Sequence, residues 1–416
     1  MIKTLAGVII PVLIMGTLLF IFGPKLSNRA SVPQGPITIK YFGFEDENEI
    51  LPLLKEFEKL SPDVKVSYNR QSNTNYRTRM QTQIREGAGP DLFKIHSSWT
   101  EMFSGDLAPA PQDVFNLASY QNTFFPVAMD SFVRDNKIYG VPDAIDGLAL
   151  YYNEEILSAS GVPVPKNWQE FIDTAVRLTV KDSNGVIKTA GAALGTSSNI
   201  DYWSEVLGLL LLQQPGVDPG KPATAETAEV LKFYTGFVLD PARKTWDTTL
   251  LSSTVMFVQG NLAFYFAPSS EAPRITATNP NLKFKITPVP QLPGRNIAWA
   301  NFWGTAVSAK SKHKSESWKL AKFLSDKEQE KQKIKASDPL LSVFVSQGPI
   351  YKSWYLVSGT FDAGVNDEMI KVWGEAVNAI LSGTSPSSAL QNIEPRVKDI
   401  LGKYTGPQIP TPTLKK

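Results

Sequence analysis

The chain has no cysteine among its 416 residues. Disulfides, thiolate zinc sites, cysteine-ligated iron–sulfur clusters and cysteine nucleophiles are therefore excluded. Histidine is nearly as scarce, because only His96 and His313 are present and they lie far apart in the sequence. A histidine-rich metal site is excluded for that reason. The sequence thus predicts neither a metal site nor another cofactor.

Motifs typical of enzymes are also missing. There is no Gly-rich loop ending in Lys-Ser or Lys-Thr, no G-x-S-x-G and no H-E-x-x-H. A catalytic triad would depend on one of the two histidines. Carboxylates are plentiful, but their surroundings set no pair apart as in a glycosidase. The sequence therefore favours a protein that is not an enzyme.

Neither sign of charge is in excess, since 42 Lys and Arg side chains face 40 Asp and Glu side chains. Nucleic-acid-binding proteins usually carry a marked basic excess, so no nucleic-acid partner is predicted. Apolar residues make up 42% of the chain. A chain of this length and composition can bury large cores and is too long for one ordinary domain.

A long apolar run stands near the N-terminus. Residues 5–22 carry no charge, and these 18 residues suffice to cross a bilayer as a helix rising about 1.5 Å per residue. A cleaved signal peptide usually has a shorter apolar region, about 7–15 residues, followed by a small-x-small site. We therefore predict a transmembrane anchor at 1–23, with a cleaved signal as the alternative. The polar residues 24–36 would form a linker.

Strand and helix patterns alternate along the rest of the chain, which implies an α/β fold with sheets flanked by helices. Asn48 is the predicted N-cap of the first helix after the linker, and Ser315 is the predicted N-cap of the helix at 316–324. The predicted strands are 37–42, 64–68, 91–95, 148–152, 262–266, 283–289 and 305–308. The predicted helices are 48–60, 76–85, 167–178, 201–212, 224–239, 254–259, 316–324, 367–381 and 387–401. Residues 405–416 contain three prolines and are predicted to form an extended tail.

The stretch 137–171 resembles the crossover region of a known family. It contains a YG-P turn at 139–142, a YYN strand end at 151–153 and a P-W-E helix start at 165–170. These features are similar to those of extracellular solute-binding protein family 1, the maltose-binding-protein-like periplasmic binding proteins of ABC importers. The resemblance extends over roughly residues 37–403.

The resemblance implies a two-lobed periplasmic-binding-protein fold of type II, in which each lobe has a central mixed sheet flanked by helices. The ligand would lie in a cleft between the lobes, and hinges would lie near 142–147 and 301–305. The implied lobes are discontinuous in sequence. They comprise 36–143 with 305–347, and 147–300 with 350–404.

The same resemblance implies a function. The chain would be the extracellular or periplasmic, membrane-tethered binding component of an ABC importer. It would capture a solute, for which a carbohydrate is favoured, by hinge closure and deliver it as a monomer to the permease subunits in the cell membrane.

Candidate ligand-binding residues are polar and aromatic side chains that follow predicted strands or lie near the crossover segments. Ligands bind beyond the carboxyl ends of strands in open α/β sheets, and sugars need aromatic faces together with polar groups. The resemblance adds the tryptophans of the return crossover and of a late helix. The candidates are Glu45, Asp46, Ser97, Ser98, Trp99, Asp146, Asp201, Tyr202, Trp203, Ser270, Trp303 and Trp373.

Other interpretations stay open at this point. Acidic residues from 45 to 49 also suit a solvated first helical turn, and most tryptophans pack in cores. The segment after Phe266 has no further aromatic, which weighs against a sugar. A polyamine held by Glu45, Asp46 and Asp146, a phosphonate, or iron held by tyrosines 151 and 152 are alternative ligands. A surface carbohydrate-active enzyme and a sensor component are alternative functions.

The region 310–335 is rich in lysine, with nine Lys against four acidic residues. Solvated helices explain this composition most simply. Contact with anionic lipid or with a partner is the alternative.

Overall fold

The computed structural model describes residues 35–404. The predicted anchor 1–23, most of the linker 24–36 and the tail 405–416 lie outside the described residues. Within 35–404, no helix combines the length and the apolar character that a membrane span requires.

The described chain alternates between strands and helices. The strands are β1 Ile37–Gly43, β2 Val64–Arg70, β3 Leu92–His96, β4 Val133–Arg134, β5 Lys137–Ile138, β6 Val141–Pro142, β7 Asp146–Gly147, β8 Ala149–Asn153, β9 Val180–Lys181, β10 Ile187–Ala192, β11 Leu262–Ala267, β12 Phe284–Thr287, β13 Ala298–Asn301, β14 Trp303–Val307 and β15 Tyr351–Lys352. The helices are α1 Glu47–Leu60, α2 Tyr76–Arg85, α3 Leu117–Thr123, α4 Pro126–Phe132, α5 Glu154–Ser160, α6 Trp168–Leu178, α7 Trp203–Gln213, α8 Ala225–Leu239, α9 Ser253–Val258, α10 Glu271–Thr278, α11 Lys314–Ser337, α12 Ser342–Ser346, α13 Val365–Leu381 and α14 Pro386–Tyr404.

Two five-stranded sheets form the centres of two lobes. The first has the order β2-β1-β3-β14-β6, and the second has the order β12-β8-β11-β10-β9. Both are mixed, because β1 is parallel to β2 and β3 while β14 is antiparallel to β3, and β10 is parallel to β11 while β8 is antiparallel to it. The predicted α/β class with two mixed sheets is confirmed. The boundaries proposed for the lobes stay a prediction.

A third sheet connects the lobes. It has the order β15-β13-β7, and each of its strands lies where the chain passes from one lobe to the other. Gly147 is needed here, because a Cβ atom at this position would lie 1.9 Å from the carbonyl oxygen of Trp299. The strands of the crossover are therefore packed backbone to backbone, which holds the two lobes at a defined junction.

The second lobe packs against this junction through α7, whose sequence WSEVLGLLLLQ is almost entirely buried. A helix that is apolar on all sides is expected in the interior of a protein. The indole of Trp299, fully buried on β13, crosses α7 at Gly208. A Cβ at Gly208 would lie 2.4 Å from two of the ring carbons.

We expect Gly208→Ala to lower the free energy of unfolding by about 1–3 kcal/mol, because the added methyl group overpacks the Trp299 ring. Urea unfolding followed by circular dichroism measures this change. Gly402→Ala is the matched control, since Gly402 also lies in a helix but a Cβ atom added there would have nothing within 4 Å. The control should be stabilised slightly by the better helix propensity of alanine. Equal effects at both positions would contradict the packing argument.

Most predicted elements are confirmed within one or two residues at each end, including the strands 37–42 and 262–266 and the helix 76–85. Three predictions about helix ends are wrong. The N-cap of α1 is Asp46, whose carboxylate accepts from the Asn48 main-chain N, and not Asn48 itself. The helix predicted at 316–324 runs from Lys314 to Ser337.

The greater length of α11 has a local cause. Beyond residue 324 the sequence has no Gly or Pro until Pro339, so nothing interrupts the helix. Side-chain pairs three or four residues apart also stabilise it, as between Lys322 and Asp326 or between Glu328 and Lys331. The predicted cap Ser315 instead lies inside the first turn.

Candidate ligand-binding site

One edge of the first sheet brings several candidate residues together. The parallel strands β1 and β3 both end here, and Trp303 at the start of β14 pairs directly with His96 at the end of β3. Phe44, Glu45 and Ser98 follow immediately after the two strand ends. Antiparallel pairing of β14 with β3 therefore adds an aromatic residue to an edge that already carries polar side chains.

Trp303 is the centre of an aromatic cluster at this edge, formed by Phe44, Tyr76, His96, Trp99 and Trp303. Its ring centroid lies 4.9 Å from those of Phe44 and Trp99 and 5.2 Å from that of His96, with interplanar angles of 80–82°. Trp303 and Phe44 are half-buried, whereas the other three members are buried. Because these neighbours stand steeply to Trp303, none of the three stacks parallel on its face.

A chain of hydrogen bonds crosses from the first lobe to the second beside this cluster. The Nδ1 atom of His96 accepts from the main-chain N of Ser98, which leaves Nε2 to donate to Asn301 Oδ1 over 3.1 Å. Asn301 Nδ2 then donates to Glu205 Oε1 over 2.9 Å. Burial lowers the pKa of His96 to about 4, so the ring is neutral at physiological pH.

Glu205 is the acceptor at the far end of this chain. Its side chain is 1% exposed, and Oε1 also accepts from the main-chain N and the hydroxyl of Ser358, each over 3.1 Å. Burial raises the pKa of Glu205 to about 7, although Ser358 and Asn301 donate to the carboxylate. The carboxyl group thus joins α7, β13 and the loop before α13 at the junction of the lobes.

A buried cation lies behind the same edge. Lys94 Nζ is 2.5 Å from Glu45 Oε1 and 2.9 Å from Asp143 Oδ2, and the Tyr41 hydroxyl donates to Glu45 over 2.9 Å. Burial opposes the charge of Lys94, but Asp143, Tyr41 and Glu45 outweigh it and hold the pKa of the amine well above its usual value. Glu45 is therefore engaged in an ion pair within the protein.

Asp146 on β7 lies at the other side of the crossover. One of its carboxylate oxygens accepts from the main-chain N of Ser269 over 3.1 Å and from its hydroxyl over 2.6 Å. The other oxygen is 3.4 Å from Lys335 Nζ, which also donates to the Ser269 hydroxyl over 2.7 Å. Lys335 comes from the last turn of α11, so three separate parts of the chain meet at Asp146.

The segment 201–203 supplies one half-buried hydroxyl and two residues with structural contacts. The Tyr202 hydroxyl donates to Glu271 over 3.0 Å, and Glu271 is also paired with Arg274. Asp201 accepts from the hydroxyl groups of Ser253 and Thr254 and from the main-chain N of Thr254, at the start of α9. The Trp203 ring lies where α7 meets Gly374 of α13.

The remaining candidates lie in varied surroundings. Asp46 caps α1 and pairs with Arg70. The Ser98 hydroxyl accepts from Asn366 Nδ2 over 2.8 Å, whereas Ser97 is buried. Trp99 is fully buried, and its Nε1 donates to Asp362 over 3.2 Å. Trp373 is also fully buried, and Ser270 is exposed immediately before α10.

The structure thus brings Trp99, Ser98, Glu45 and Trp303 to one edge of the first lobe. It places Asp146 at the crossover and Tyr202 on the second lobe, while Trp373 lies within the packing of α13. Two sheet-centred lobes, three crossing strands and polar residues at their junction are the arrangement that a hinged binding protein requires.

A family model described as bacterial extracellular solute-binding protein matches residues 45–331. The chain belongs to this family. The match covers most of both sheets and all of the crossover strands except β15.

Individual relatives agree with this assignment. The galactooligosaccharide-binding protein of Bacillus subtilis is 22% identical over 421 residues, which cover 92% of this chain and 94% of that protein. The melibiose/raffinose/stachyose-binding protein MelE of Bacillus subtilis is 24% identical over 258 residues, 59% of each chain. The structure of the sugar-binding protein MalE of Xanthomonas citri superposes with a TM-score of 0.70 at 22% identity, over 88% of this solute-binding protein and 98% of that chain. The two-lobed fold is confirmed by this likeness.

Sequence reasoning missed several residues that the structure places at the junction. They are Lys94, Glu205, Asn301 and Lys335. Two of them carried a signal, since Lys94 interrupts the apolar strand LFKIH and Glu205 is the only acidic residue in α7. A charge within an otherwise buried element must find a partner. Nothing local distinguishes Asn301 or Lys335.

Proposed function

We propose that this solute-binding protein captures a carbohydrate between its lobes and delivers it to the permease of an ATP-driven importer. The observation that carries the proposal is the half-buried Trp303 at the edge of the first lobe, surrounded by steeply inclined rings and bordered by polar groups. Apolar C–H faces of sugars pack on such rings, while hydroxyl groups bind nearby donors and acceptors.

The names of the relatives support a sugar. The proteins described as binding galactooligosaccharides and melibiose, raffinose or stachyose belong among its sequence relatives, and structural neighbours were solved with maltotetraose or cycloalternan bound. An oligosaccharide of several units would use both the Trp303 edge and the Tyr202 side of the cleft.

A polyamine fits the site less well. The carboxylates that would bind its amines are already paired with cations of the chain, namely Glu45 with Lys94, Asp46 with Arg70 and Asp146 with Lys335. Iron is also disfavoured, because Tyr151 is fully buried and its hydroxyl donates to the carbonyl of residue 268. The relatives are binding proteins, which supports a function without chemistry on the solute.

We further propose that residues 5–22 tether the protein to the outside of the cell membrane. Their uncharged apolar sequence supports this proposal. Membership of an extracellular family supports the orientation. The mass of the native protein tests the alternative of a cleaved signal, because cleavage would remove the apolar run.

Calorimetric titration tests the ligand class. The protein is titrated with galactooligosaccharides, raffinose and maltotetraose, and separately with spermidine, a phosphonate and ferric ion. We expect heat of binding from at least one oligosaccharide and none from the other three solutes. Binding of a non-sugar alone would refute the carbohydrate proposal and leave the family assignment intact.

We expect Trp303→Leu to weaken oligosaccharide binding by about tenfold or more, since the aromatic stacking surface is lost although the side chain stays apolar. Trp318→Leu is the matched control, because Trp318 is fully buried on α11 and packs on Phe115. The control should lower the unfolding midpoint and leave the dissociation constant unchanged. If both variants bind as the unmodified protein does, Trp303 does not contact the sugar.

A further inference from the structure

The end of the first lobe opposite the candidate site is formed by turns and helix ends. Ile37 enters β1 here, with its N–H bonded to the carbonyl of Asp63 over 2.7 Å. The loop that follows β14 returns to the same end, because Ser308 N donates to the carbonyl of Asp91 and the Ser311 hydroxyl donates to its carboxylate. The described chain therefore begins at the end of the lobe that lies farthest from Trp303.

This end carries a basic patch, which comprises Lys59, Leu60, Lys310, Lys312 and Lys314. All five side chains are exposed, and Leu60 is 69% exposed. Among the described residues, none of the four lysines lies within 4 Å of a carboxylate, although other cations of this lobe, such as Lys65 and Arg85, are paired. Four acids lie at the same end, namely Asp63 and Glu86 in the turns, Asp91 below the loop and Glu316 in the first turn of α11. Because none of the four forms an ion pair with a lysine of the patch, the lysines present their charge to solvent.

The two helices that carry part of the patch fix its position. Phe57 of α1 packs on Phe323 of α11 with centroids 5.5 Å apart, and Glu56 pairs with Lys327. The strands that precede the two helices, β1 and β14, run in opposite directions in the sheet, and each helix returns along the sheet after its strand, so the helices also run in opposite directions. The last turn of α1 and the first turn of α11 therefore lie at the same end of the lobe.

We propose that the basic patch seats the protein on an anionic phospholipid surface, with the ligand cleft directed away from it. This inference rests on the proposed tether at 5–22. A chain of roughly 12 residues, the number between that run and the described chain, can span up to about 40 Å, so the tether alone does not determine which end of the lobes faces the bilayer. Lysines near an anionic bilayer and one exposed leucine provide the orienting attraction.

The binding of the basic patch to anionic lipid is expected to be moderately strong and to depend on salt. Each lysine near an anionic surface favours the membrane-bound orientation by about fivefold, so the three lysines Lys310, Lys312 and Lys314 together contribute about a hundredfold. The attraction acts over about 8 Å at physiological ionic strength. The seat is therefore reversible, as delivery of the solute to a permease requires.

The full chain is tested in vesicles of phosphatidylcholine alone and of phosphatidylcholine mixed with phosphatidylglycerol. Because the chain has no cysteine, a single fluorophore can be attached through Ser61→Cys beside the patch or Asn73→Cys beyond the carboxyl end of β2. Energy transfer to an acceptor on the lipid headgroups reports which end faces the bilayer. We expect strong transfer from position 61 and weak transfer from position 73, only when phosphatidylglycerol is present.

In a triple variant, Lys310→Gln, Lys312→Gln and Lys314→Gln, the difference in energy transfer between positions 61 and 73 should disappear, and added salt should abolish it in the unmodified protein. The matched control replaces Lys181, Lys221 and Lys398 by Gln, three exposed lysines outside this end of the lobe, and should retain the difference. Flotation with phosphatidylcholine vesicles reports the tether separately. Flotation in both lipid compositions with equal energy transfer from the two positions would refute the proposed binding of the patch to lipid and support the membrane tether. The patch would then be a candidate contact surface for a protein partner. Flotation only with vesicles that contain phosphatidylglycerol, if it is lost in the triple variant, would support lipid binding by the patch and refute the tether. If the protein floats with neither vesicle composition, both the lipid-binding patch and the tether are refuted.

Discussion

Replacement of Lys94 by methionine is expected to lower the free energy of unfolding by about 3–5 kcal/mol, the range found when one partner of a buried ion pair is removed. The side chain of Lys94 is only 7% exposed, and it is the shared cation for Glu45 and Asp143. Without it, two carboxylates face each other in a site that water reaches poorly. Urea unfolding at neutral pH measures the loss.

Two comparisons separate this effect from simple loss of charge. Lys65→Met removes the cation of the exposed pair with Glu58 and should cost less than about 1 kcal/mol, because solvent screens such pairs. A triple variant that adds Glu45→Gln and Asp143→Asn to Lys94→Met should recover part of the loss, since no buried charge is left without a partner. Similar losses for Lys94→Met and Lys65→Met would show that the Lys94 site is well hydrated.

The ionisation of Glu205 is expected to make the protein less stable as the pH rises from about 4.5 to about 7. The folded-state pKa is about 7, against an ordinary value of 4.5. A carboxyl whose pKa is raised on folding binds more protons in the folded state, so its stabilising contribution is complete below pH 4.5 and is lost as the pH rises to 7. At about 1.4 kcal/mol per unit, the loss is about 3 kcal/mol.

The substitution Glu205→Gln isolates this contribution. Glutamine retains an oxygen that can accept from Asn301 and Ser358 but does not ionise, so the decline attributable to position 205 should disappear. The variant should therefore gain stability relative to the unmodified protein as the pH rises from 5 to 8, by up to about 3 kcal/mol. Chemical unfolding at a series of pH values measures both curves.

Glu229→Gln is the control for this pH series, because Glu229 lies on the neighbouring helix α8 with its side chain 69% exposed. Its curve should run parallel to that of the unmodified protein. Parallel curves for Glu205→Gln as well would mean that Glu205 is ionised throughout this range in the folded protein. The hydrogen bond from Asn301 Nδ2 to Glu205 would then be charge-assisted at neutral pH.

Much of the fold was predictable because its signals are local. The alternating pattern of β1 and the helical spacing of α2 depend only on neighbouring residues, and both elements were predicted within a residue of their observed ends. The crossover region at 137–171 was recognisable for the same reason, since turn and strand residues occur there at short fixed spacings. Where local signals are weak, as at the start of α1 and along α11, the predicted ends were wrong.

The candidate site was less predictable, because residue type does not reveal the direction of a side chain. Trp99 and Trp303 both suited a sugar platform, yet Trp99 is fully buried while Trp303 is half-buried. Glu45 suited a ligand contact, but the lysine that neutralises it lies on another strand, at position 94. A carboxylate with such a partner cannot be recognised from its own neighbours in the sequence.

The sequence by itself determined the class of fold and many of its elements, because hydrophobic periodicity and turn residues act over a few positions, and the family resemblance at 137–171 indicated the crossover. Only the tertiary structure decided which polar groups meet at the junction. His96 bonds to Asn301 across 205 positions and Trp99 to Asp362 across 263. Such pairs form because three crossing strands bring the two lobes together, and the free energy of that packing is a property of the whole chain.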